Sequence, residues 1–172
     1  MEEAELARKA IAGDENSFTI LIQSKREQLY RMAYTYVRNR EDALEVVQET
    51  VYRAFLAVHK LQQPQYFNTW LTKIAINSAL DFVRKSKKVV YAKPGAEGSY
   101  EPNHNEEAMD LREALGSLDE KSRTAIMLRY FEDMQLKDIA DVLDTPLSSV
   151  KSIIYRGLER LKIKLEESES IG

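Results

Sequence analysis

A chain of 172 residues, 44% hydrophobic and 31% charged, has the length of one sizeable domain or two small ones, and its composition is neither disordered, collagenous nor membrane-spanning. The absence of Cys excludes a disulfide framework, a thiol nucleophile and every thiolate metal site, and fits a reducing cytosol. Its 25 basic and 28 acidic residues leave a formal charge of -3, whereas a protein that binds nucleic acid unaided usually carries a clear basic excess.

No apolar run approaches the roughly 18 residues of a membrane span, and the acidic start Met1-Glu2-Glu3-Ala4-Glu5 differs from the basic start of a signal peptide. A cytoplasmic location is therefore expected. The turn-forming stretch Gly13-Asp14-Glu15-Asn16-Ser17 precedes a periodic segment in which Leu29, Met32, Ala33, Tyr36 and Val37 recur at three and four residues, predicting a long amphipathic helix. Asn39 can cap the next helix, whose Ala43, Val47, Val51, Ala54, Phe55 and Val58 form one apolar stripe ending before Pro64. A further helix, capped by Asn68 or Thr69, carries Leu71, Ile74, Ala75, Ser78 and Phe82 inward and reaches the basic cluster 84–88. Three to four helices on one core follow.

The segment 93–105 holds two of the four prolines and two of the six glycines without apolar periodicity, which marks a linker. Residues 91–109 carry one basic and four acidic residues, separating a domain at 1–90 from a smaller one at 110–172. In the latter, Asp119 or Ser117 can cap a helix running to between Leu128 and Phe131. Two short periodic segments then flank Asp144-Thr145-Pro146, a helix, tight turn and helix. In the second segment Leu147, Val150, Ile154, Leu158, Leu161 and Leu165 share one face, leaving Ser149, Ser152, Arg156 and Arg160 opposite. The expected fold is all-α: two small helical domains on a flexible linker, the C-terminal one a helix-turn-helix.

Three surfaces carry chemistry. Between Leu147 and Lys164 five basic residues stand against the single acid Glu159, a local +4 inside a chain of -3. Ser148, Ser149, Lys151, Ser152, Tyr155 and Arg156 suit a helix that enters the major groove, where small donors admit close approach and long cations reach phosphates or guanine edges. On the second predicted helix Asp42, Glu45, Glu49 and Arg53 fall on one outward strip that can dock a basic surface. On the third, Lys73, Asn77, Leu80 and Arg84 form a strip running into Lys85, a combination of amide and cations suited to single-stranded nucleic acid. Tyr66, Phe67 and Trp70 are able to stack on bases, although an aromatic opening an amphipathic helix more often packs in the core, and Trp70 is assigned to packing. On the residues alone, solvated faces, a stand-alone helix-turn-helix regulator and a protein-binding adaptor all remain open. His59 and His104 lack a second ligand at metal spacing. The acid pairs Asp138/Asp141 and Glu106/Glu107 lack a nucleophile, phosphate loop or metal motif, so no enzymatic site, cofactor or small-molecule substrate is expected.

The run from Leu136 to Gly157 resembles the C-terminal DNA-reading region of bacterial extracytoplasmic-function (ECF) sigma factors, the group-four relatives of the housekeeping sigma subunit. Asp42-Ala43-Leu44-Glu45-Val46-Val47-Gln48-Glu49 is similar to that family's polymerase-binding segment, and the run from Phe67 to Arg84 to its promoter-melting segment. Leu44 stands where many relatives carry an acid, and Leu147 where relatives commonly place Gly. The resemblance implies that Asp42, Glu45, Gln48 and Glu49 meet core RNA polymerase. It further implies that Lys73, Asn77, Leu80, Arg84 and Lys85 hold the single-stranded minus-ten element, and that Ser148, Ser149, Lys151, Ser152, Tyr155 and Arg156 read the minus-thirty-five duplex. An anti-sigma factor is the implied regulatory partner, and the reaction itself belongs to the polymerase.

Overall fold

The computed structural model describes residues 2–92 and 111–171. The linker expected at 91–109, with His104, Glu106 and Glu107, lies almost wholly outside the described residues. All regular structure among the described residues is helical, as the periodicity predicts. The chain divides into two compact units, Met1–Tyr100 and Glu101–Gly172.

The first unit begins with a helix that the periodicity leaves unassigned, α1 (Glu3–Ile11), which buries Leu6, Ala7 and Ala10 and is tied to the next helix by a Glu3–Lys25 ion pair of 3.0 Å. Gly13, at φ +106, turns the chain in a conformation that a side chain disfavours. Asp14 then caps α2 (Glu15–Val37), accepting from the Asn16 amide at 3.2 Å and the Ser17 hydroxyl at 2.7 Å. Arg38, left-handed at φ 60, ends α2, and Asn39 starts α3 (Arg40–Ala57). The Asn39 side chain accepts from the Asp42 amide at 2.9 Å and donates to the Asp42 carboxylate at 2.6 Å, a reciprocal cap.

Two short 3-10 turns, Val58–Lys60 and Pro64–Tyr66, lead into α4 (Phe67–Ala92). Neither Asn68 nor Thr69 caps this helix: it starts ahead of both, at the fully buried Phe67, and the Asn68 carbonyl accepts from the Thr72 hydroxyl inside it. The reason is one of magnitude. Burying a Phe side chain stabilises by roughly 1.5–3 kcal/mol, more than the ~1 kcal/mol of a typical cap. Helices α2, α3 and α4 pack on one another, with α1 against α2, around Leu21, Leu29, Met32, Val46, Phe67 and Leu71. Phe55, expected inside, is 46% exposed and meets Phe18 edge-on at 5.5 Å, while Val46 and Thr50 take its place in the core.

In the second unit α5 (Leu111–Leu115) and α6 (Glu120–Ile126) lead through a π turn, Met127–Phe131, to α7 (Leu136–Leu143) and α8 (Leu147–Ile171). Asp119 caps α6, accepting from the Ser122 amide at 3.3 Å. Ala114, Leu115, Leu118, Ile126 and Leu161 form the core cluster, with Phe131 and Leu165 packed against it. Asp144 is left-handed at φ 50, and the Thr145 amide returns to the Ala140 carbonyl at 3.0 Å, closing the turn between α7 and α8. The buried face of α8 is Val150, Ile154, Gly157 and Leu161. Leu147 and Leu158, expected inside, are 43% and 37% exposed.

Candidate polymerase- and nucleic-acid-binding surfaces

Three carboxylates on the outer side of α3 are differently disposed. Glu45, Gln48 and Glu49 are exposed, whereas Asp42 is half-buried with its carboxylate engaged by Asn39. Arg53, expected on the same strip, faces α4: its guanidinium donates to Glu49 at 2.9 Å and to Asp81 at 3.0 Å, and Asp81 also pairs with Arg84 at 3.8 Å. Burial alone would lower the Arg53 pKa, but hydrogen bonds to Glu49 and Asp81, with their charges, outweigh it and raise the value. Glu45, Glu49, Arg53 and Asp81 border an open groove of about 750 Å³ whose walls include Gln48, Tyr52, Phe82 and Lys85. The groove thus joins an acidic rim on α3 to the cationic end of α4.

On α4, Asn77, Arg84 and Lys85 are exposed, while Lys73 and Leu80 are half-buried, so the expected strip is open at its amide and at its basic end and partly covered at its start and in between. At its beginning Phe67 lies in the core and stacks obliquely on the half-buried Trp70 at 5.7 Å, which makes both packing residues; Tyr66 is 46% exposed.

The helix-turn-helix presents its candidate readers openly. Ser148, Lys151, Ser152, Tyr155 and Arg156 are exposed at the start of α8, and Ser149 is half-buried. Arg156 leans back on its own helix, donating from Nε to the Ser152 carbonyl at 3.4 Å. Several supporting residues escape sequence reasoning. Arg123 donates to the carbonyls of Leu115, Gly116 and Leu118 at 3.0–3.2 Å, satisfying the exposed end of the short α5. Arg129 reaches the Met134 carbonyl at 3.2 Å and steadies the turn into α7. Gly157 lets α8 lie against Ile126; a Cβ there would meet Ile126 Cδ1 at 2.5 Å. Only Gly157 leaves a sequence signal, a glycine inside an apolar helical repeat.

Comparison with known proteins matches Sigma-70 region 2 to residues 21–89 and Sigma-70, region 4 to residues 108–161. The RNA polymerase sigma factor SigV of Bacillus subtilis is 33% identical over 156 residues, covering 86% of this chain and 90% of the relative. The chain belongs to the sigma-70 family, as an RNA polymerase sigma factor of ECF type. A second relative of this ECF sigma factor, SigW of the same organism, is 27% identical and covers 90% of the chain and 92% of its own length. Two solved structures share its fold. CnrH, in complex with the cytosolic domain of CnrY, gives a TM-score of 0.75 at 24% identity over 96% of this chain and 97% of its own. RpoE of Bartonella quintana, in complex with the anti-sigma factor NepR, gives 0.67 at 20% over 88% and 96%. Within the ECF sigma factor, region 2 runs from inside α2 to near the end of α4, and region 4 contains α5 to α8 apart from the final turns of α8. Among the described residues no helix is long and apolar enough to cross a membrane.

Proposed function

We propose that this chain is a group-four ECF sigma factor acting in the cytoplasm. Domain 1–90 binds core RNA polymerase through Asp42, Glu45, Gln48 and Glu49, and holds the melted minus-ten strand along Lys73, Asn77, Leu80, Arg84 and Lys85. Domain 110–172 reads the minus-thirty-five duplex with Ser148, Ser149, Lys151, Ser152, Tyr155 and Arg156, while the linker 91–109 spans the two sites. Catalysis of RNA synthesis stays with the polymerase. An anti-sigma factor covers these surfaces until a signal releases them; the structural relatives CnrH and RpoE were each solved with a bound partner, which supports that reading.

One observation carries the proposal: both sigma regions occur in order on one chain, and the second ends in a helix whose polar and cationic side chains are exposed. Chemically, small hydroxyls at Ser148 and Ser152 permit close approach to base edges, and Lys151 and Arg156 reach guanine edges or phosphates. In α4 an exposed amide two turns ahead of two exposed cations suits a strand whose base meets the amide and whose phosphates further along meet the cations.

Run-off transcription with purified core polymerase on a pool of random promoter templates tests the proposal. Addition of the chain is expected to select templates sharing two conserved elements at fixed spacing; no selection beyond core polymerase alone sinks the reading. Arg156→Ala should reduce use of minus-thirty-five-dependent templates by roughly 5- to 150-fold, the equivalent of 1–3 kcal/mol for one good base contact. Unchanged template choice would remove Arg156 from the reading face.

A further inference from the structure

Beyond the first turns of α8 the cations continue on another wall. A recess of about 350 Å³ opens between α8 and the first turn of α6, lined by Lys121, Arg156 and Arg160 around the backbone at Gly157, with Asp119 as the one carboxylate of its lining. All three cations are exposed. Three like charges around one concavity repel each other and favour an anion between them. Asp119 only partly offsets them, because its carboxylate also accepts from the Ser122 amide at the start of α6.

The position of this recess along α8 indicates the kind of anion. At 1.5 Å per residue, Arg156 and Arg160 lie roughly 12 and 18 Å along the axis from Ser148. The major groove is about 12 Å wide. A helix with Ser148 to Ser152 in the groove therefore reaches the sugar-phosphate wall at Arg156 to Arg160. Lys121 lines the same recess from α6, an element outside the helix-turn-helix pair.

We propose that this recess seats one backbone phosphate at the edge of the minus-thirty-five duplex, held by Lys121 and Arg160, with Arg156 shared between the recess and the reading face. The proposal rests on the assignment of α8 as a duplex reader. Lys121 and Arg160 are positioning residues: phosphate contacts fix register and orientation and carry no sequence information directly. Gly157 is what allows α6 and α8 to approach closely enough for cations on both helices to share one anion.

The test uses holoenzyme assembled from core RNA polymerase and the full chain. Promoter fragments carry single neutral methylphosphonates in place of each phosphate around the minus-thirty-five element. With the unaltered chain, one substitution is expected to weaken binding about tenfold, the scale of one charge-assisted contact. With K121Q/R160Q the intact fragment binds about tenfold more weakly, neutralising the same phosphate has a much smaller further effect, because only Arg156 still faces it, and the plot of log affinity against log salt is shallower by roughly one. K121R/R160K restores sensitivity to that phosphate, separating charge from packing. A K121Q/R160Q chain that keeps the sensitivity of the unaltered one at every phosphate overturns the proposal. So does a loss confined to binding of a protein partner. Base-pair changes in the minus-thirty-five element that alter nothing in either chain would instead sink the duplex-reader assignment, while the phosphate scan still reports on the recess.

Discussion

At single positions, two residues of the second unit convert local geometry into stability. A Cβ on Gly157 would lie 2.5 Å from Ile126 Cδ1 and 3.5 Å from Ser122 Cβ, and Ile126 is only 2% exposed. Two terms compete in Gly157→Ala: helix propensity favours Ala by about 1 kcal/mol, whereas overpacking a core costs roughly 1–3 kcal/mol. The overpacking term dominates because the displaced methyl has little solvent-facing space to enter. Gly157→Ala should therefore lower stability by about 1 kcal/mol in urea denaturation, and in an Ile126→Val background, which removes Cδ1, the same substitution should become neutral or stabilising. A loss of the same size in both backgrounds would contradict the proposed clash. Asp119 acts through charge. The Ser122 hydrogen bond, chiefly, holds its carboxyl below the usual 3.8, against the opposing effect of burial, with help from Arg160. A carboxyl with a depressed folded-state pKa contributes stability that is complete above the unfolded value and is lost as pH falls through the folded one. Asp119→Asn, which keeps a capping acceptor without titrating, should flatten the acid limb of the stability curve below about pH 4. An unchanged acid limb would show that the cap is not a source of acid lability.

Helices α3 and α4 are joined by a chain of charges, Glu49 to Arg53 to Asp81 to Arg84, so their two candidate surfaces are not independent. Glu45 stands outside that chain on the same exposed side of α3. Charge reversal at the two acids should therefore have different consequences. Glu45→Lys should weaken retention on immobilised core polymerase several-fold and leave the melting temperature unchanged. Glu49→Lys should weaken retention similarly and also destabilise the unit by about 0.5–1 kcal/mol, because it places a cation beside Arg53. Equal retention of all three proteins would contradict the docking role, and equal melting would contradict the structural one. What the sequence disclosed about these elements follows the range of the interactions. Caps at Asn39 and Asp119 are legible because each joins residues only three apart. The Arg53–Asp81 bond joins residues 28 apart and has no local signature. The inward face of α3 is displaced from the apolar stripe toward Thr50, a polar residue that adds nothing to such a stripe yet is fully buried, its hydroxyl donating to the Val46 carbonyl at 2.7 Å. In α8 the displacement has the opposite origin: Gly157, having no side chain, adds nothing to an apolar stripe, yet it sets the line of closest approach and turns Leu147 and Leu158 outward.

For the whole molecule the governing quantity is charge. A sigma factor with a net charge of -3 repels DNA at long range, yet residues 147–164, the first five turns of α8, carry a local +4. The Pro- and Gly-containing stretch 93–105 makes the division into two units legible in the sequence, and residues 91–109 hold four acidic residues against one basic. Two weak contacts held on one large partner gain affinity through effective concentration without any new bond. The isolated chain should accordingly bind promoter duplex poorly at physiological salt, and core polymerase should supply what is missing. The five basic residues of α8, were all to neutralise phosphates, would give a slope of roughly -4.5 in log affinity against log salt, so lowering salt threefold should strengthen binding by the isolated chain about a hundredfold. That gain should be largely insensitive to sequence, whereas addition of core polymerase at physiological salt should favour promoter over scrambled duplex. Fluorescence anisotropy on both duplexes, across salt and with or without core polymerase, separates the two effects. Nanomolar, sequence-selective binding by the isolated chain at physiological salt would show that its own surfaces suffice, and the dependence on polymerase would be lost.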